Sequence, residues 1–136
     1  MIEVLEHLHK NDLPLFENNI FGIVQPKAII ITTPNIDYNK NYRNDPEKFR
    51  HHDHKFEFSQ KEFQEWCKNV CSKFNYDQKI EGIGKYHGDE HPERGFCSQI
   101  CTFTKIENSL PNLNKCQISL PEPQEVKLID TIEYPV

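Results

Sequence analysis

Phe49-Arg50-His51-His52-Asp53-His54-Lys55-Phe56-Glu57-Phe58-Ser59-Gln60-Lys61-Glu62-Phe63 is the stretch around which the chain is organised. It packs His51, His52 and His54 with Asp53 and Glu57 into a few residues, then runs straight into an amphipathic helix. Ser59 followed by Glu62 has capping-box spacing: the hydroxyl caps the amide three residues on, and the carboxylate reaches back. Behind it, Phe63, Trp66, Cys67, Val70, Cys71 and Phe74 fall at i, i+3, i+4, i+7, i+8 and i+11, one apolar helix face. The spacing predicts a helix over 59–74, stopped at Asn75. A packed helix thus anchors the histidine cluster just ahead of its N-terminus, the rigid support a metal or catalytic site needs.

The 136 residues suit a single domain. A hydrophobic fraction of 36% and a net charge of −5 describe a modest core and argue against binding nucleic acid through non-specific phosphate attraction. A local basic patch or a metal could still serve a single RNA end. No apolar run approaches the ~20 residues of a membrane span, and Glu3 and Glu6 interrupt any signal-peptide core. Cys67/Cys71 and Cys97/Cys101 share C-x3-C spacing. The second pair lies in a strand-like run, where i and i+4 are ~13 Å apart, too far for one ion. Cys67 and Cys71 fall on the buried helix stripe. Reduced thiols of a cytosolic protein are therefore the expectation.

Upstream, Ile2-Glu3-Val4-Leu5-Glu6-His7-Leu8 mixes core residues with metal-ligand types. If residues 3–8 are helical, Glu3, Glu6 and His7 project from one face, the economy of carboxylate-bridged metal sites; the same pattern also fits a solvated helix face. Asp12 is placed as an N-cap with Pro14 in the first turn, and Pro26 ends that helix. Ala28–Thr32 is a β-branched run expected to be covered on both faces, as in a parallel sheet, with Thr33-Pro34-Asn35 stopping it. Residues 36–50 read as a loop, Tyr76 to Lys85 as a strand, 86–94 as a polar loop and Phe96 to Lys105 as a strand pairing antiparallel with it. From Glu107 onward the pattern is that of a tail. The order of helices and strands matches the second half of an α/β sheet protein. Ligands in such sheets gather beyond the carboxyl ends of the strands.

IEVLEHL, AIIITTPNIDYN, FRHHDHKFEFSQKEFQEW, IEGIG and GFCSQICTF together resemble the small-RNA 3′-terminal 2′-O-methyltransferases of the Hua-enhancer type, in that family's order and over roughly residues 2–105. The resemblance implies a class I, Rossmann-like methyltransferase fold, with residues 1–106 as the C-terminal part of the methyltransferase domain and 107–136 as an irregular tail. It implies methyl transfer from S-adenosylmethionine to the 2′-hydroxyl of a small RNA's last nucleotide. Mg²⁺, or Mn²⁺ or Co²⁺, would be bound by Glu3, Glu6, His7 and His54, with His7 and His54 also the candidate proton acceptors. The implied partners are the RNA 3′ end and an Argonaute/Piwi-type carrier, in the cytoplasm and off the membrane. His51 and His52 are expected in solvent, Asp53 as an orienter of a histidine, and Glu57 as a charge favoured by the helix dipole, with a direct role at the site as the alternative.

Two departures stand out. Phe58 and Gln60 occupy places where the family has Trp and Arg, which is expected to weaken a phosphate or capping contact. The glycine-rich loop that holds S-adenosylmethionine has no counterpart among the five glycines, so no cofactor-binding residue is assigned in this chain, and a fragment of the enzyme is the expectation. The competing readings are an inert metal- or RNA-binding remnant and a metal-dependent phosphohydrolase. The latter needs further ligands, and only His87 and His91 follow residue 60.

Overall fold

Hydrogen bonding at the first three residues already shows the architecture. Met1 and Glu3 bracket Thr32: the Thr32 amide donates to Met1 O and the Glu3 amide donates to Thr32 O, a parallel bridge of Ile2 with the strand edge. The computed structural model describes residues 1–42, 48–85 and 91–107. Within them, short 3₁₀ turns at Leu5–His7 and Lys10–Asp12 lead into helix α1, Leu13–Glu17, which continues as a π-helical segment, Asn18–Val24. Strand β1 (Ala28–Pro34), the short helix α2 (Ile36–Asn39), helix α3 (Gln60–Phe74), strand β2 (Tyr76–Ile83), a 3₁₀ turn (Pro92–Arg94) and strand β3 (Ser98–Lys105) follow.

The sheet order is β1-β3-β2, with both pairings antiparallel. The expected terminal pair is therefore present, and its second strand is inserted between the other two. This corrects the reading of β1. Its long partner is the antiparallel β3, its parallel contact among the described residues is the bridge to Ile2, and Ile30 is half exposed rather than covered on both faces. The strand also runs on through Thr33 and Pro34 before Asn35 ends it. Residues 36–50, read as a loop, begin with α2, while the tail and the tip of the 86–94 loop fall outside the described residues.

Helix α3 forms as its sequence dictates. Ser59 Oγ accepts from the Glu62 amide at 3.2 Å, Glu62 Oε2 accepts from the Ser59 amide at 2.9 Å, and Asn75 closes the helix in the left-handed region. Its stripe of Phe63, Trp66, Cys67 and Val70 is buried against β2 and β3. Phe21 from the π-helical segment completes this core, edge-on to both Tyr76 and Phe103. Phe58, in the place of the family's Trp, is buried and stacks on Trp66. The helix from Asp12 is where expected, but Asp12 makes no side-chain cap. Cys67 and Cys101 meet in the core. The described cysteines form no disulfide, and Cys116 lies outside the described residues. No helix among the described residues is long and apolar enough to cross a membrane.

Two outcomes follow for stability. Ser59→Ala should cost about 1 kcal/mol in urea unfolding, against a change within about 0.5 kcal/mol for Asp12→Ala, whose side chain caps nothing. Glu62 is held below its ordinary 4.5 chiefly by the Ser59 backbone amide. A carboxylate depressed in the folded state contributes stability above its unfolded pKa and loses it as pH falls through the folded one. Glu62→Gln should therefore destabilise at pH 7, and the difference should vanish as the pH drops below 4.5. A third outcome concerns the thiols. Burial pushes the Cys71 thiol up to about 12 and Cys67 up as well. Both should react with iodoacetamide at pH 8 far more slowly than in the urea-unfolded chain, because the thiolate is the nucleophile.

Candidate metal centre

Two consecutive threonines at the carboxyl end of β1 build one wall of the site. Thr32 Oγ1 donates to Glu3 Oε1 at 3.0 Å, and Thr33 Oγ1 donates to Glu6 Oε2 at 3.1 Å. The two acids are thus fixed to adjacent positions of the sheet edge. They do not share a helix face: only Leu5–His7 is helical, and Glu3 lies outside it at φ 49°. A left-handed non-glycine residue is strained. Glu3 is held there by its amide bond to Thr32 O and its carboxylate bond to the Thr32 hydroxyl.

The histidine segment forms the opposite wall. The Lys55 amide donates to Glu6 O at 2.7 Å and so ties the segment to the acidic turn. His54 is brought against His7, with ring centroids 5.0 Å apart and the rings nearly perpendicular. Ligand atoms of Glu6, His7 and His54 all lie within 4.8 Å of one another. Three of the four residues expected to bind metal are therefore gathered; Glu3 stands beside the group, its carboxylate turned to Thr32.

Glu6 is fully buried, and its Oε1 has no hydrogen-bond partner among the described residues. Burial pushes its carboxyl above the ordinary range, and the neighbouring Glu3 charge adds to this. An orphaned buried carboxylate oxygen is costly, and an oxygen facing two imidazoles suits a divalent cation of the Mn²⁺, Co²⁺ or Mg²⁺ kind. The residues present fit the ion that the resemblance implies.

Each imidazole of the group faces a carboxylate. His54 Nδ1 lies 2.6 Å from Glu57 Oε1, with both side chains almost wholly buried. His7 Nδ1 lies 3.6 Å from Asp53 Oδ2, and both are well exposed. Asp53 also pairs with His51, and that contact, ahead of all others, holds its carboxyl below the ordinary range. His51 and His52 are exposed, as expected, and form with Asp53 a second, open group of ligand types. Glu57 departs from the reading of a dipole-favoured helix charge: it is buried, and its partners are His54, the Arg50 amide and Asn39 Nδ2 rather than helix amides. Its signal in the sequence was the i, i+3 spacing to His54, which the capping box that begins two residues on, at Ser59, overshadowed.

Gln60, in the place of the family's Arg, donates from its side chain to Glu93 O and from its amide to Asp37 Oδ2. His87 lies outside the described residues; His91 pairs with Glu93 and is not among the ligand types gathered at Glu6.

Comparison with known proteins points to one family. No family model matches the chain. It is 38% identical over 138 residues to a small RNA 2′-O-methyltransferase of Tetrahymena thermophila, covering 99% of this chain and 32% of that protein. Relatives with the same description in Xenopus tropicalis and Drosophila melanogaster are 40% and 37% identical, over 85% and 98% of this chain and 32% and 36% of their own lengths. Among solved structures, the small RNA methyltransferase HEN1 superposes with a TM-score of 0.68 at 33% identity, covering 80% of this chain and 14% of that one. The methyltransferase domain of bacterial CtHen1 superposes with a TM-score of 0.61 at 37% identity, covering 76% of this chain and 50% of that one. The sheet and its helices are thus part of a Rossmann-like methyltransferase fold, and the chain spans about a third of the length of these curated relatives.

Proposed function

This chain is homologous over most of its length to small-RNA 2′-O-methyltransferases, and from that kinship we propose that it is the metal- and ribose-handling part of such an enzyme. The reaction is methyl transfer from S-adenosylmethionine to the 2′-hydroxyl at the 3′ end of a small RNA. The observation that carries the reading is the meeting of Glu6, His7 and His54 around an orphaned Glu6 oxygen at the carboxyl edge of the sheet, where ligands of open α/β sheets collect.

Glu6, His7 and His54 would hold the ion, with Glu3 as the adjoining carboxylate. When bound, Mg²⁺, Mn²⁺ or Co²⁺ supplies Lewis acidity that lowers the pKa of a ribose hydroxyl, a poor nucleophile at neutral pH. The Thr32 and Thr33 hydroxyls keep the two acids at the edge. His7 and His54 are the imidazoles placed to take the hydroxyl proton when free of the ion. Only a 3′-terminal ribose offers two adjacent hydroxyls, which makes a paired-oxygen site selective for RNA ends. S-adenosylmethionine is assigned no residue in this chain; its site belongs to the part of the relatives' length that the chain does not span. Residues 1–106 then form the C-terminal part of a methyltransferase domain, a division supported by the match to half of the CtHen1 domain. The reading implies an RNA carrier of the Argonaute/Piwi type and action in the cytoplasm.

In the full-length protein containing this segment, His54→Ala should abolish terminal methylation of a synthetic small RNA and leave S-adenosylmethionine binding nearly unchanged. His52→Ala should change the rate less than about tenfold. Retained activity in His54→Ala would remove His54 from the site, and a lost cofactor affinity would show that the variant had damaged the fold instead. The isolated chain should transfer no methyl group and show no heat of S-adenosylmethionine binding in calorimetry; micromolar binding would contradict the assignment of the cofactor elsewhere.

A further inference from the structure

Glu57 is a buried carboxylate that the chemistry above does not use. Its side chain is fully enclosed, and two amide donors and one imidazole nitrogen converge on it. The Arg50 amide and His54 Nδ1 meet Oε1, while Asn39 Nδ2 from the end of α2 meets Oε2. Both oxygens thus accept hydrogen bonds, which leaves the proton of the His54–Glu57 contact on the imidazole Nδ1. A neutral imidazole with its proton on Nδ1 presents its lone pair at Nε2. With Nδ1 occupied, Nε2 is the nitrogen left to His54 for the group it forms with Glu6 and His7.

We propose that Glu57 is the positioning residue of the metal centre, fixing the tautomer and ring plane of His54 so that Nε2 is the ligand atom. The proposal rests on the metal reading given above and deepens it. Glu57 is not itself a ligand: its oxygens are committed to the three donors, and it stands outside the group of mutually close ligand atoms. Nor does it serve the dipole of α3, since none of those donors is a helix amide. The two imidazoles are consequently unequal. His54 is locked from behind by a buried carboxylate, whereas His7 faces the exposed Asp53, which is shared with His51.

Asn39 supplies a chemical control. Its Oδ1 is buried and without a partner among the described residues, while its Nδ2 is spent on Glu57. In Glu57→Gln the new amide can keep its oxygen toward His54 and Arg50 and turn its NH₂ toward Asn39, whose own amide reverses to accept. Gln therefore preserves the shape and the acceptor and removes the charge; Ala removes everything.

The test uses this chain, labelled with ¹⁵N at histidine, and Mn²⁺ or Co²⁺ alone as the probe. In the wild type, long-range ¹H–¹⁵N spectra of the metal-free protein should show His54 with its proton on Nδ1. Glu57→Gln should keep that tautomer and bind the ion several-fold more weakly. Glu57→Ala should lose the fixed tautomer and weaken binding by about 10- to 100-fold, the range for losing a carboxylate behind a ligand histidine. A proton on Nε2 in the wild type, or unchanged metal affinity in Glu57→Ala, overturns the proposal. If Glu57→Ala does not fold, Glu57→Gln decides: its amide oxygen still accepts, so loss of the Nδ1 tautomer of His54 in that variant overturns the proposal. If the wild type binds no ion at all, the metal reading of the site fails instead, and the proposed positioning of a metal ligand falls with it.

Discussion

Buried polar side chains must find partners, and at the carboxyl end of β1 four consecutive residues meet that demand by gathering the rest of the molecule. Thr32 takes Glu3 and Thr33 takes Glu6, both from the first turn of the chain. Pro34 O accepts from the Gln99 amide on β3. Asn35 spends its Nδ2 on Arg94 O and Phe96 O and its Oδ1 on the Asp37 amide, which starts α2. Gln99 reaches onward to Phe58 O, just ahead of α3. Each bond is worth little alone in net terms, about 1 kcal/mol, but leaving any of these buried groups unpaired would cost more. The acidic turn, the lead into β3 and the entry to α3 are therefore placed by the satisfaction of one short segment.

What the sequence disclosed and what it hid divide along this line. The capping box at Ser59, the apolar stripe from Phe63 and the left-handed stop at Asn75 are local rules, and local rules are read directly from residue spacing. The pairing of β2 with β3 was equally legible from alternation and proximity in sequence. The insertion of β3 between β2 and β1 was not, because Ile31 meets Cys101, 70 positions further along the chain, and no local pattern encodes that register. The continuous run Ala28–Ile31 suggested a strand covered on both faces; half-exposed Ile30 shows that hydrophobicity alone does not give coverage.

The candidate site divides in the same way. His54, Glu6 and His7 were found through their pattern and its resemblance to a family, although a helical face was the wrong vehicle for the two acids. Of the threonines that hold those acids, Thr32 was read as the last residue of the strand and Thr33 as the start of its stop. Thr-Thr-Pro-Asn looks like punctuation, and only the fold reveals that its hydroxyls point at Glu3 and Glu6. Glu57 was undervalued for a related reason: three residues before a helix, an acid has a ready local explanation, and the long-range donors that claim it are invisible until α2 and Arg50 are in place.

Violations of local rules stand at the site and also outside it. Glu3 is left-handed without being glycine, and among the described residues Glu6 Oε1 is buried and unpaired, as is Asn39 Oδ1 one hydrogen-bonded step behind Glu57; away from the site, Gln25 is left-handed and Gln78 Oε1 is buried and unpaired. In α3 the local and global preferences agree, its cap, stripe and stop all specifying one helix. A strained backbone at Glu3 and an orphaned oxygen at Glu6, where His54 also comes in, fit a place arranged for something other than stability. The cost falls on the residues that a cation would relieve: Glu6 is buried beside Glu3 with no positive side chain among its hydrogen-bond partners. Two carboxylates held close by threonine hydroxyls, with imidazoles brought up from the opposite wall, form an arrangement whose electrostatics improve when positive charge enters.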